Sequence, residues 1–186
     1  TPNSFASILP NGSKHQLYKK WLDNSVAFFN SLKGKDGKKV PILFRPFHEL
    51  TGNWFWWCQN NATPEQFKEV WKFTVNYYQS KGVHNLIYVY NTSDFSSKEE
   101  FMKYYPGDDY VDMISFDKYL YDNPTRDNSF VEKCQLQFKI MDEVAKEHGK
   151  IAAFAETGYE QIPYDKFWTK TLMDAIGNYK ISFVLA

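Results

Sequence analysis

The sequence has no excess of charge of either sign, little cysteine and no long apolar run. Its 22 basic residues balance 22 acidic ones, which disfavours nucleic acid or an anionic membrane as a partner. Two cysteines, Cys58 and Cys134, are too few for a disulfide framework and fit no zinc spacing, although they could pair with each other. No stretch reaches the roughly 20 apolar residues that span a bilayer. We therefore predict no nucleic-acid partner, membrane span, metal or cofactor.

Aromatic residues, in contrast, are abundant. They make up 19% of the chain, with 6 Trp, 13 Tyr and 16 Phe. Flat apolar rings with polar rims suit the faces of sugar rings, so this composition favours a carbohydrate ligand. The alternative interpretation is an aromatic-rich core, which must account for many of these residues.

Short apolar runs alternate with longer amphipathic ones along the whole chain. Strands are predicted at 40–47, 86–90, 111–116, 151–155 and 181–185, and helices at 15–32, 63–82, 97–105, 130–148 and 164–176. Strict alternation favours parallel strands joined by helical crossovers. Since no Gly-rich phosphate loop or GxGxxG motif follows a strand, a (β/α)8 barrel is preferred to a nucleotide-binding doubly wound sheet.

The number of predicted strands is too small for a complete barrel. Five strands are found, whereas a barrel has eight strands and about 250 residues. We therefore expect a partial barrel that covers approximately strands four to eight. Residues 1–186 would then be a single domain, truncated at both ends.

Two glutamates fall where barrel chemistry is expected, at the carboxyl ends of strands. The segment RPFHELTGNWFWW places His48 and Glu49 between an apolar strand and a run of four large aromatics. The segment KIAAFAETGY places Glu156 after another apolar strand. Two carboxyl groups about 5 to 5.5 Å apart, one protonated and one charged, are what retaining glycoside hydrolysis requires. Apolar rings around Glu49 should raise its pKa.

Further candidates surround this pair of glutamates. Arg45 is predicted on the same strand face as Glu49, either holding a carboxylate or forming a structural ion pair below the site. In the aromatic run, one or two rings should stack on sugar, with Trp54 preferred and Trp57 next. The remaining predicted sugar contacts are Asp117 and Tyr119, which share one face at DKY, and, more weakly, Asn91.

The strings HELTGNWFWW and AETG, with YYPGDDYVDMISFDKY, resemble glycoside hydrolase family 26, a retaining β-mannanase family on (β/α)8 barrels. The resemblance implies that Glu49 is the acid/base and Glu156 the nucleophile. It also implies that His48 touches the sugar, that Trp54 lines the cleavage subsite, and that Tyr119 donates a hydrogen bond to the nucleophile.

The implied activity is that of an endo-β-1,4-mannanase, which cleaves mannan, galactomannan or glucomannan through a covalent glycosyl-enzyme. Such an enzyme is expected to be secreted to the cell exterior, surface or periplasm, and to be a monomer, although no signal peptide is recognisable in this chain. Two alternatives stay open. One is another family specificity, β-1,3-1,4-glucanase or β-1,3-xylanase, and the other is an inactive carbohydrate-binding fragment.

Overall fold

The computed structural model describes residues 3–186, which form six α-helices and four β-strands. The strands are β1 (Ile42–Phe44), β2 (Leu86–Thr92), β3 (Met113–Leu120) and β4 (Ile151–Tyr159). The helices are α1 (Ser4–Ile8), α2 (His15–Ser31), α3 (Pro64–Ser80), α4 (Lys98–Met102), α5 (Ser129–His148) and α6 (Leu172–Ile176). Short 3-10 turns lie at Gln59–Asn61 and Asp108–Tyr110, and a π turn at Phe167–Thr171 precedes α6.

The four strands form one parallel sheet in the order β1-β2-β3-β4. The predicted alternation of strands and helices is confirmed, and each strand lies beside the next one along the chain. In β3 the pairing with β4 shifts between Phe116 and Asp117. This irregularity places Asp117 opposite Glu156 at the carboxyl end of the sheet.

Local signals explain where the helices begin and end. The Thr63 hydroxyl accepts from the Gln66 backbone and the Gln66 side chain accepts from the Thr63 backbone, so α3 starts with the predicted capping box and Pro64 in its first turn. Ser97 caps α4 in the same manner through the Glu100 N–H. Gly149 ends α5 with a φ of 63°, a left-handed conformation that glycine adopts at low cost.

Two predicted strands were wrong in extent. The first, 40–47, is only three residues long, because Pro46 cannot donate to a ladder and the backbone turns left-handed at Phe47 (φ 53°) and Glu49 (φ 52°). The run 181–185 is not a regular strand. It forms backbone bonds to β4, such as Leu185 N–H to Phe154 O at 3.2 Å, but only one isolated bridge. The described sheet therefore has four strands, not five.

Aromatic side chains fill the core between the sheet and the helices. Trp71 on α3, Phe116 on β3, Phe138 on α5 and Phe154 on β4 are among the largest buried residues. The aromatic-rich core therefore accounts for many of the rings. Cys58 and Cys134 are buried and unpaired. Among residues 3–186, no helix is both long and apolar enough to cross a membrane.

Candidate active site

Three carboxyl groups meet at the carboxyl end of the sheet. One oxygen each from Glu49, Asp117 and Glu156 lies within 4.8 Å of the other two. Glu156 stands on β4, whereas Glu49 lies on the turn after β1 and not on the strand itself. The upper limit of 4.8 Å between these oxygens is compatible with the separation of about 5 to 5.5 Å between carboxyl groups in retaining glycosidases.

Glu156 has a hydrogen-bond donor on each carboxylate oxygen. Tyr119 Oη donates to Oε2 at 2.8 Å, and an Arg45 guanidinium nitrogen contacts Oε1. Burial favours the protonated acid, but the Tyr119 hydroxyl and the Arg45 charge together outweigh it, so the pKa of Glu156 lies below its usual value. This carboxyl group is therefore ionised near neutral pH, as a nucleophile must be.

Glu49 has the opposite electrostatic setting. Burial beside aromatic rings raises its pKa, and the hydrogen bond from Trp54 Nε1 to Oε2, 2.7 Å long, offsets part of that effect. The negative charge of Glu156 raises the pKa further. Two neighbouring carboxyl groups whose pKa values move in opposite directions are suited to the roles of acid and nucleophile.

Arg45 joins two acidic side chains beneath the cleft. Its Nη1 lies 2.5 Å from Asp117 Oδ2, and its Nη2 contacts Glu156 Oε1. Burial raises the pKa of Asp117 to about 7, although Arg45 acts against the shift. Three clustered carboxylates can hold a metal ion, but Arg45 already supplies positive charge to two of them. The two interpretations of Arg45, carboxylate support and structural ion pair, thus describe one arrangement.

Asn91 and Asp117, predicted to touch sugar, are buried beneath the cleft with exposures of 1% and 2%. Asn91 Oδ1 accepts from the Glu49 N–H at 2.7 Å, and its Nδ2 donates to Asp117 Oδ1 at 2.8 Å. Asn91 does not line the cleft, so the geometry does not support direct sugar contact by this residue. Asp117 lines the cleft together with Glu49, and its predicted contact with sugar stays a prediction. The sequence shows polar residues at strand ends but not which of them pair with each other.

Trp54 lines the opening of the site, whereas His48 and Trp57 pack against each other behind it. Trp54 is 57% exposed. Trp57 stacks on Phe55 with ring centroids 4.3 Å apart and donates from Nε1 to His48 O at 2.8 Å. Burial and the nearby Arg45 charge lower the pKa of His48, so its ring is neutral near pH 7. Trp57 therefore supports His48, and its predicted contact with sugar stays a prediction.

A cavity of about 350 Å³ opens beside Glu49 and Tyr119, the residue that donates to Glu156. Its lining includes Glu49 and Trp54, then Lys118 and Tyr119 at the end of β3, and residues of the loops after β2 and β3, among them Asp94, Tyr121 and Asp122. Lys118 pairs with Asp94 across the groove. The Tyr121 ring is 83% exposed. Sequence analysis missed these residues, although Tyr121, an aromatic directly after the strand that carries Tyr119, was a usable signal.

Comparison with known proteins decides the family. The family model described as "Glycosyl hydrolase family 26" matches residues 7–186. The chain belongs to glycosyl hydrolase family 26. A mannan endo-1,4-beta-mannosidase of Bifidobacterium adolescentis is 34% identical to this family 26 chain over 157 residues, which are 82% of the chain and 16% of that protein.

Solved structures agree on the fold. A family 26 beta-mannanase from Bacteroides ovatus superposes with a TM-score of 0.94 and 35% identity, over 100% of this chain and 53% of that one. A family 26 structure from Muricauda sp. gives a TM-score of 0.91 and 38% identity, over 98% of this chain and 51% of that one. The chain thus spans about half the length of these structures. The predicted partial (β/α)8 barrel is confirmed.

Proposed function

We propose that residues 1–186 are part of one catalytic domain, that of a retaining endo-β-1,4-mannanase. The observation that carries the proposal is the pair Glu49 and Glu156, with oxygens within 4.8 Å of each other and pKa values displaced in opposite directions. The names of the relatives, mannan endo-1,4-beta-mannosidase and beta-mannanase, support mannan as the substrate.

The proposed reaction has two displacements. In the first, a Glu156 oxygen attacks the anomeric carbon, the glycosidic C–O bond breaks, and the Glu49 proton passes to the departing oxygen. This leaves a glycosyl ester on Glu156 and a carboxylate on Glu49. In the second, Glu49 takes a proton from water, the water oxygen attacks the anomeric carbon, and the ester bond breaks. Both carboxyl groups return to their starting states.

The open groove supports a polymeric substrate. It continues from Glu49 and Trp54 between the loops after β2 and β3 as far as Tyr121, which leaves room for sugars beyond the cleaved bond. This shape suits cleavage within a chain. Polysaccharides do not cross membranes, so we place the enzyme outside the cytoplasm. Because one chain supplies both carboxyl groups, we propose that it acts as a monomer.

The proposal is tested by Glu156→Ala in the full-length protein. We expect release of reducing sugar from β-1,4-mannan to be abolished, because no nucleophile remains at the anomeric carbon. Glu160→Ala, four residues along and exposed to solvent, is the matched control and should keep full activity. Undiminished release by Glu156→Ala would refute the mechanism.

The same assay separates the alternatives. Mixed-linkage β-glucan and β-1,3-xylan are tested beside mannan, and preferential cleavage of either would overturn the mannanase specificity. Calorimetry with mannohexaose covers the non-catalytic case. Binding without turnover by the unsubstituted protein would identify a carbohydrate-binding function in place of an enzyme.

A further inference from the structure

The turn that carries Glu49 has an unusual backbone. Phe47 and Glu49 both adopt positive φ angles, 53° and 52°, which side chains other than glycine rarely adopt. Residues in such conformations persist only where surrounding groups hold them. The position of the Glu49 carboxyl therefore depends on contacts made by the turn, and not on the regular ladder that fixes Glu156.

The carbonyl groups of the turn are bound by the loop that follows it. Trp57 Nε1 donates to His48 O at 2.8 Å, and the Gln59 N–H donates to Leu50 O at 2.7 Å. These bonds hold the turn to its own loop. They do not fix where the turn and loop together lie relative to the sheet.

Two contacts fix the position of the turn and its loop relative to the sheet, and both reach the end of β2. Asn91 Oδ1 accepts from the Glu49 N–H at 2.7 Å. Two residues later, the Ser93 N–H donates to Thr51 Oγ1 at 2.9 Å, and the two hydroxyl groups lie 2.9 Å apart. Of these contacts, only the hydrogen bond accepted by Asn91 involves Glu49, the proposed acid.

The orientation of the Asn91 amide is fixed by its partners. A backbone N–H only donates, so the Glu49 N–H must face Oδ1, which leaves Nδ2 to donate to Asp117 Oδ1. Nδ2 also donates to Ser115 Oγ at 2.9 Å, while that hydroxyl donates to Tyr90 O. The side chain is 1% exposed and all its hydrogen-bonding groups are used. It is therefore a rigid support for the Glu49 backbone.

We infer that Asn91 is a positioning residue that holds Glu49 where it can protonate the leaving group, a role that rests on the proposed function. The same amide connects to Arg45 and Glu156 through Asp117. Asn91 thus sets the acid relative to the nucleophile without touching the substrate. Its loss should affect the proton transfer selectively, because Glu156 keeps both of its own donors.

The test compares two substrates in the full-length protein. Mannotetraose leaves as a sugar alkoxide and needs the proton from Glu49, whereas a 2,4-dinitrophenyl β-mannobioside has a leaving group that departs without one. For Asn91→Ala we expect kcat/KM to fall about 100-fold with mannotetraose, within the usual contribution of general acid catalysis. With the activated substrate it should change by less than about threefold. Thr92→Val is the matched control, since Thr92 is equally buried on β2 and its hydroxyl has no partner among the described residues.

Each result has a definite meaning. Selective loss with mannotetraose supports the inference. An equal loss with both substrates, or no loss, overturns it, because a general structural defect does not distinguish leaving groups. Absence of turnover of either substrate by the unsubstituted protein would refute the proposed function itself, which is a separate result.

A second variant keeps the test decisive if Asn91→Ala does not fold. Thr51→Val removes the other link to β2 and leaves the buried Asn91 and Asp117 in place. We expect the same selective pattern with a smaller loss, about tenfold with mannotetraose. If this variant also lost activity equally on both substrates, the turn would have no special role in positioning Glu49.

Discussion

The substitution Tyr119→Phe isolates one of the two donors on the nucleophile. It removes the hydroxyl that donates to Glu156 Oε2 at 2.8 Å and retains the ring. A hydrogen bond to a carboxylate stabilises its charged form, so its loss should raise the pKa of Glu156. Because Glu156 must be ionised to attack, activity should then be lost at a higher pH as the solution is acidified.

The size of the effect follows from the geometry. A hydrogen bond to a charged group contributes about 1.5 to 3 kcal/mol. Tyr119 is 37% exposed, so water competes for the contact and the lower figure, about 1.5 kcal/mol, applies. One pKa unit corresponds to about 1.4 kcal/mol. The acidic limb of the profile of kcat/KM against pH should therefore move up by about one unit.

The assay is that profile, measured with mannotetraose, whose leaving group needs the proton from Glu49, from pH 3 to pH 9 for the full-length protein and its variant. The basic limb reports loss of the proton from Glu49, which Tyr119 does not contact, and should stay in place. A uniform fall in activity with both limbs unmoved would show that Tyr119 acts only through packing, and would refute this account of how Glu156 is kept charged.

Two further results are expected. Trp54→Phe removes the indole donor that lowers the pKa of Glu49. The pKa of Glu49 should therefore rise, and the basic limb of the same profile should move to higher pH. A shift to lower pH would contradict this electrostatic assignment. Trp71→Ala removes a side chain that is 1% exposed and leaves Tyr110 O without its donor. Denaturant titration should show a loss of about 3 to 5 kcal/mol in the free energy of unfolding. A loss below about 1 kcal/mol would show that the core relaxes around the cavity.

The sequence predicts the fold well where local rules act alone. The capping box at Thr63 and Gln66 and the glycine at 149 need only neighbours in the chain, and both are found as predicted. The alternation of strands and helices likewise follows from periodicity, and it leads to the parallel sheet that the structure shows.

Sequence reasoning fails where distant contacts override local preference. Glu49 was predicted at a strand end, but the chain leaves the strand after Phe44 and turns left-handed at two residues that give no sign of it in sequence. Asn91 was predicted to face a sugar, yet it is buried and binds Asp117 and the Glu49 backbone. Which polar strand-end residues are buried depends on three strands at once, and a single sequence does not contain that information.

The two donors on Glu156 also bear on the second half of the proposed reaction. A carboxylate made less basic by Arg45 and Tyr119 attacks carbon less strongly, but it is displaced more readily once it has become an ester. The groups that keep Glu156 charged before the reaction therefore also make it a better leaving group when water arrives. Such a balance shortens the lifetime of the sugar-bound form of the enzyme and favours rapid turnover over accumulation of the covalent species.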